Sequence, residues 1–383
     1  MPMPFNMDLV QRGARLRRTP FFSATQRAKA SGYTVYNHML FPIGYGDLVE
    51  EYWHLLHHVT LWDVAVERQV EITGPDAFRF TNLLTPRDLR RCAVGQGKYV
   101  VITADDGGII NDPVLMRLGE NHFWLALADS DVLLWAKGVA LNSGMKVQIT
   151  EPDVSPLQVQ GPKSKGVIAS LFGNAALELK YYWFLEATLD GIPVIVTRTG
   201  WSGEVGYEIY LRDGSRGEEL WERVMAAGKP YDIRPTGPSD IRRIEAGILD
   251  WGADMTLENN PYEVGLERLV DEGKTQDYVG KEALRRIKTV GVQRRLVGIE
   301  IAGAPIEHNA TKWPVRHDGE PAGYVTSAIH SPRLEKNIGY AMVPIDRAGL
   351  GTRLMVSVAE IGDREATVVP LPFVDPRKEI PKA

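Results

Sequence analysis

Two apolar, β-rich runs, residues 192–198 and 207–211, flank the stretch Thr199-Gly200-Trp201-Ser202-Gly203-Glu204-Val205-Gly206. That pattern predicts two strands joined by a tight, glycine-punctuated loop. The three glycines let the backbone approach a ligand closely or adopt positive φ. Glu208 and Tyr210 are two apart on the second strand and so point to one face. A carboxylate beside aromatic surface suits a flat heterocycle with N–H donors along one edge, as in a pterin. An ordinary hairpin with a solvated glutamate fits the same residues.

Elsewhere the periodicity switches between strand and helix. Residues 47–58 have helical spacing, with Leu48, Tyr52, Leu55 and Val59 on one face. A strand over 64–73 leads to a helix over 77–84, for which Asp76 is the expected N-cap. A hairpin follows: residues 97–103, a turn at Asp105-Asp106-Gly107-Gly108, and a return strand over 109–118. Asn111 and Asp112 interrupt the apolar return strand, and Pro113 marks an edge or bulge there. A buried carboxylate at that point is either held by partners or used in chemistry. Helices are expected over 132–141, capped by Asp129-Ser130-Asp131, over 164–171 and over 218–227. Another, capped by Ser239-Asp240, runs through Leu249 and presents Arg243 and Glu245. From Arg294 onward strands alternate with Gly/Pro turns, which marks a separate all-β unit in an α+β chain.

Composition narrows the class. Of 383 residues, 44% are hydrophobic and 24% charged, and the net charge of −5 argues against a nucleic-acid surface. The single cysteine, Cys92, excludes a disulfide framework and fits a reducing, cytoplasmic setting. No apolar run approaches the ~18 residues of a membrane span. Arg12, Arg15, Arg17 and Arg18 read as a surface arm rather than a transit peptide. No phosphate-binding glycine loop and no Gly-x-Ser-x-Gly is present. His54 and His58 stand four apart without the glutamate of a zinc-protease motif, so no metal is assigned. The aromatic-rich stretch 32–45 is either one wall of a pocket or an irregular half-buried strand.

Several motifs in order resemble the folate-binding aminomethyltransferase family, the T-proteins of the glycine cleavage system. They include Trp62-Asp63-Val64, Gly95-Gln96-Gly97-Lys98-Tyr99, Gly107-Gly108-Ile109-Ile110-Asn111-Asp112, Val159-Gln160-Gly161-Pro162, Arg198-Thr199-Gly200-Trp201-Ser202-Gly203-Glu204 and Arg243-Ile244-Glu245-Ala246-Gly247. Within that family, Thr34-Val35-Tyr36-Asn37-His38-Met39, Glu67-Arg68-Gln69-Val70 and Asn111-Asp112-Pro113 are similar to the branch that demethylates dimethylsulfoniopropionate. The resemblance implies a three-domain cloverleaf around a folate channel, with a C-terminal β-barrel-like domain. Residues 1–57 and 153–262 would form the first domain, 58–152 and 263–293 an interleaved second, and 294–383 the third.

The implied activity is methyl transfer to N5 of tetrahydrofolate, a co-substrate. The partners would be small molecules, with no nucleic acid, no membrane and a possible homo-oligomer. Asp112 and Tyr210 are the implied catalytic pair. Tyr99, Trp201, Glu208 and Arg243 would hold the cofactor, and Tyr36, His38 and Asn111 the substrate. Glycine-cleavage T-proteins carry two aspartates where this chain has Asn111-Asp112. A methyl leaving a sulfonium produces a neutral thioether and needs no general acid, so one carboxylate suffices. Alternatives are another methyl or aminomethyl donor (an N-methyl amine, an O-methyl aromatic or an aminomethyl-lipoyl protein), or a non-catalytic folate-binding protein.

Overall fold

Three sheets carry separate apolar cores in the computed structural model, which describes residues 16–383. Arg12 and Arg15 of the expected N-terminal arm lie outside the described residues. The first sheet has six strands, in spatial order Phe184–Leu189, Ile192–Thr197, Gly206–Leu211, Ser155–Gln160, Val59–Asp63 and Ile233–Pro235. Only the last pair is parallel. Along Gly206–Leu211 the alternation is strict. Tyr207, Ile209 and Leu211 join the core beneath the helices Ser164–Phe172 and Gly217–Gly228. Glu208 and Tyr210 therefore face the other way. Register then places Gln158 and Thr197 directly opposite Glu208 on the two flanking strands.

The second sheet runs Gln148–Thr150, Gln69–Thr73, His122–Ala126, Val114–Gly119 and Gln96–Tyr99, backed by the helices Ala77–Leu84 and Val132–Leu141. Its free face meets the free face of the first sheet through Met116, Trp124, Ala126, Phe184, Ile195 and Tyr210. The boundary expected after residue 57 falls ahead of Val59–Asp63, whose pairing with Ser155–Gln160 puts it in the first sheet. The segment beyond residue 263 returns to the second sheet's helices. Lys274 Nζ donates to the carbonyls of Asn82, Thr85 and Arg87, and Thr103 donates to the Val279 carbonyl. Six strands from Arg294–Ile301 to Gly362–Val369 close into a barrel around Ile299, Val325 and Val356.

Several local expectations change. Helix Leu48–His57 forms under an Asp47 cap with Tyr52 and Leu55 buried, but Leu48 is exposed. Asp76 does not cap its helix; its carboxylate accepts from Lys146 N instead. The Asp131 side chain makes no cap either. The hairpin expected over 97–118 is split, because Pro113 interrupts it: Gln96–Tyr99 pairs with Val114–Gly119, and Ile102–Thr103 with Ile109–Asn111. The helix Asp240–Glu245 ends four residues early, since Ala246 closes it and Gly247 has φ +67°.

Candidate active site between the two sheets

A cavity of about 1150 Å³ opens where the two sheets, the helix Asp240–Glu245 and the tail after residue 370 converge. Glu208 lies on its wall, buried, with four side-chain donors. Gln158 Nε2 donates to Oε1 at 2.8 Å, while Thr199 Oγ1, Tyr210 OH and Thr197 Oγ1 donate to Oε2 at 2.6, 2.9 and 3.3 Å. Burial pushes the Glu208 carboxyl above its ordinary value, and those four donors pull the other way. Oε1 has a single protein donor among the described residues, so it retains acceptor capacity toward the cavity.

Asp112 projects from the strand break at Pro113 into the same space. Its Oδ2 accepts from Tyr99 OH at 2.7 Å. Burial pushes its carboxyl up to about 7, against the pull of that phenol. A third carboxyl comes from Glu67, on the turn that joins the two sheets. Burial raises it well above its ordinary value, and the nearby Glu208 and Asp112 raise it further. Asp250 lines the cavity too, pushed up to about 7 chiefly by burial. Tyr36, Tyr99 and Trp201 supply aromatic wall. On the solvent side the lining turns basic, with Arg87, Arg268, Arg377, Lys378 and Lys382. The buried lining is thus mostly acidic, with Arg242 among it, and the outer lining is basic.

Five of the nine residues expected here do meet: Asp112, Glu208, Tyr99, Trp201 and Tyr36 all line the cavity. The other four do not. Tyr210 stands behind Glu208, held against Trp124 at 6.5 Å between ring centroids, so it orients the carboxylate rather than forming a wall. Asn111 points away from Asp112, as neighbours on a strand must, and is fully buried. Its amide donates to the Ala128 carbonyl and Ser130 Oγ and accepts from Ala128 N, so nothing remains for a substrate. His38 occupies a surface turn, half exposed, at 3.8 Å from Asp131. Arg243 is consumed by Asp240, Asp254 and Ser327, at 2.7, 2.7 and 2.9 Å. Its neighbour Arg242 reaches the cavity wall instead, paired with Glu204 at 2.8 Å.

The loop glycines also have a different reason. A Cβ at Gly200 or Gly206 would meet the Gln160 amide at 2.1 or 2.2 Å. That amide threads the loop, donating to the Thr199 and Tyr207 carbonyls and accepting from Ser202 Oγ. Gly200 and Gly206 therefore admit an internal strut, and only Gly203, with φ +69°, needs its special backbone; Gly200 and Gly203 also line the cavity.

Sequence reasoning missed Glu67, Gln158 and Asp250. A signal for Gln158 existed: in Ser155–Gln160, Leu157 and Val159 go to the core, which leaves Gln158 and Gln160 as polar groups on the opposite face. Away from the cavity, His54, His58 and Asp232 bring ligating atoms within 4.8 Å of one another. Lys163 Nζ already lies 3.0 Å from His58 Nδ1, and Arg234 is on Asp232 at 3.1 Å, so two cations occupy the approach a metal ion would use.

The sequence profile of the GCVT N-terminal domain matches residues 21–274, and that of the glycine cleavage T-protein C-terminal barrel domain matches residues 294–375. The chain belongs to the glycine cleavage T-protein family. As a T-protein relative it is 42% identical to the dimethylsulfoniopropionate demethylase DmdA of Ruegeria pomeroyi, over 92% of this chain and 96% of that one. It is 30% identical to an aminomethyltransferase of Bacillus cytotoxicus, over 94% and 98% of the two chains. The T-protein fold is seen in the crystal structure of the glycine cleavage system aminomethyltransferase from Bartonella henselae. The two superimpose with a TM-score of 0.84 at 24% identity, covering 94% and 98% of the chains. No helix among the described residues is long and apolar enough to cross a membrane.

Proposed function

We propose that this T-protein relative is a methyltransferase that demethylates dimethylsulfoniopropionate. The methyl passes to N5 of tetrahydrofolate and leaves methylmercaptopropionate and 5-methyltetrahydrofolate. The observation that carries this reading is the polarity of the cavity, with carboxyls and aromatic faces inside and a basic rim outside. An onium donor with a carboxylate tail and a pterin with an acidic tail share that polarity, positive or N–H-rich at one end and anionic at the other. The likeness to DmdA along nearly the whole chain supports the choice of donor.

Tetrahydrofolate fits the residues present, and it supplies the nucleophilic nitrogen. Glu208, with acceptor capacity left on Oε1, would take the N–H edge of the pterin, and Trp201 offers a face for the ring. The free oxygen of Asp112 would accept the N5–H, which aims the nitrogen lone pair at the methyl carbon, and it takes the proton released after transfer. Its raised affinity for a proton suits that task. No acid is needed at sulfur, because the bonding pair stays on a neutral thioether. The rate gain would then come mainly from alignment of N5, methyl carbon and sulfur.

Aminomethyl transfer is favoured only by the 30% relatives. Asn111 does not speak for either activity, because its side chain is sealed away from the cavity. Methyl-labelled dimethylsulfoniopropionate mixed with protein and tetrahydrofolate should lose its sulfonium methyl signal as 5-methyltetrahydrofolate appears. A protein that spared this donor but consumed an N-methyl amine, an O-methyl aromatic or an aminomethyl-lipoyl protein would overturn the reading.

A further inference from the structure

Glu208, Asp112 and Glu67, three of the carboxyls that line the cavity, differ in how much of their hydrogen-bonding capacity the protein fills. Glu208 receives four donors and Asp112 one side-chain donor. Glu67, like Asp250, has no side-chain hydrogen bond and no ion pair among the described residues, although it lines the cavity and burial disfavours its charged form. Its backbone, by contrast, is pinned on every side. Asn37 Nδ2 donates to the Val66 carbonyl, and Gln69 Nε2 donates to the Glu67 carbonyl at 2.6 Å. Glu67 N donates to the Val64 carbonyl at 2.9 Å, and Arg68 is clamped on Glu151. A rigidly presented carboxylate without a protein partner is costly to bury unless a ligand completes it.

The surroundings of Glu67 say what kind of ligand. Val64, Val66 and Phe41 line the same part of the cavity, with Tyr36 and Trp62, and the Tyr36 and Phe41 rings lie 5.9 Å apart. That wall is largely apolar and aromatic, with the Glu67 carboxyl set in it and those of Glu208 and Asp112 nearby. An ammonium or a pterin edge would want several hydrogen-bond partners. A sulfonium carries charge but no N–H, and needs only a counter-charge and aromatic faces.

We infer that Glu67 is the counter-ion of the donor's onium centre, and so the residue that makes the site prefer a cationic donor over a neutral one of the same shape. This rests on the sulfonium reading above. The kinetic consequence follows from where charge goes. Transfer breaks the S–CH3 bond, leaves its electron pair on sulfur and moves positive charge to N5. An anion on the sulfur side therefore holds the bound donor at least as tightly as the transition state. It lowers KM without raising kcat.

The test compares wild type with Glu67→Gln, using dimethylsulfoniopropionate as substrate and 4-methylpentanoate as inhibitor. The inhibitor keeps the carboxylate and replaces the dimethylsulfonio group with isopropyl, so only the charge differs. The variant should show donor KM raised at least tenfold, kcat within threefold of wild type, and unchanged tetrahydrofolate affinity. The ratio of inhibitor Ki to donor KM should fall toward one. A merely structural glutamate would leave that ratio where it stands in wild type, and this result overturns the inference. Should Glu67→Gln not fold, Glu67→Asp, with its charge withdrawn by one methylene, must raise donor KM while leaving inhibitor Ki in place; equal changes in both overturn it. Failure of wild type to demethylate the donor at all would instead sink the sulfonium reading.

Discussion

Two clusters of buried charge lie side by side in this protein and have opposite fates. Around the helix Asp240–Glu245, Arg243 is matched by Asp240 and Asp254. Asp254 Oδ1 in turn accepts from Thr326 Oγ1 and Ser327 Oγ of the barrel at 2.7 and 2.6 Å. Glu245 takes Tyr52 OH and Ser331 Oγ. Arg243 and Asp254 close on each other and fasten the barrel to the body, while Glu245 Oε2 and Arg242 Nη1 stay without hydrogen-bond partners among the described residues. Across the cavity, Glu67, Asp112 and Glu208 lie near one another, none of them in an ion pair among the described residues, and only Glu208 is well supplied with donors. Both clusters are buried, acidic and drawn from distant parts of the chain. What separates them is the matching cation: Arg243 balances the first cluster, whereas the second opens onto the cavity, which marks it as a place for a ligand.

Removing one partner of the closed cluster should give the largest effect. Asp254→Ala leaves Arg243 buried without its main counter-charge and is expected to cost about 3–5 kcal/mol of folding stability, read from chemical denaturation. Loss of less than about 1 kcal/mol would mean that the cluster is not the clamp described. The open cluster should respond in the other currency. Glu208→Gln should weaken tetrahydrofolate binding about 10- to 150-fold, the range for a charged hydrogen-bonding partner. Its stability should fall by less than that of Asp254→Ala, about 1–3 kcal/mol, because an amide cannot accept from all four donors that hold the carboxylate. Titration by tryptophan fluorescence measures the first, and thermal unfolding the second.

The elements themselves were readable because burial follows periodicity. The strand Gly206–Leu211 sends its odd residues into one core, and the alternating C-terminal strands close a barrel. Positions of polar side chains were less readable, since a one-residue choice decides between inside and outside. Arg242 and Arg243 are adjacent on one short helix, about 100° apart around its axis, and only docking against the barrel decides which meets the cavity. Asn111 and Asp112 pose the same problem on a strand. Glu67 was hidden for another reason: it belongs to the cavity only because two sheets far apart in sequence face each other.

That strand choice can be tested. Asn111→Asp replaces an amide that donates to Ala128 O and Ser130 Oγ with a group that accepts only. It should cost about 1–3 kcal/mol of stability and create no aminomethyltransferase activity. Gain of that activity would place residue 111 in the open cluster after all. Asp112 predicts a pH effect of smaller size. With its carboxyl pushed up to about 7, donor kcat/KM should rise with pH to a plateau above that value, as the proton acceptor becomes ionised. Stability runs the opposite way: the native state holds this proton more tightly than the unfolded chain. Raising the pH from the ordinary carboxyl range through about 7 therefore removes part of that stability. Asp250 titrates in the same range, so the assignment needs Tyr99→Phe. Loss of the phenol that favours the ionised form should move the rate inflection to higher pH if Asp112 controls it, and leave it fixed if Asp250 does.

The smallest effect belongs to a residue in neither cluster. His38 sits in the two-residue turn between Gly32–Tyr36 and Met39–Gly44, where Asn37 and His38 both have positive φ, 48° and 64°. Such a turn favours asparagine followed by glycine, and histidine tolerates the second position at some cost. The neighbouring Asp131 is 71% exposed and 3.8 Å away, too solvated a pair to matter much. His38→Gly should therefore raise stability by up to about 0.5 kcal/mol by relieving the left-handed backbone. Donor KM and kcat should stay unchanged, because the ring lies outside the cavity wall. A tenfold loss of donor affinity would return His38 to the site and show that the cavity extends across the turn. A gain in stability with unaltered kinetics would confine the open cluster to the carboxyls between the sheets.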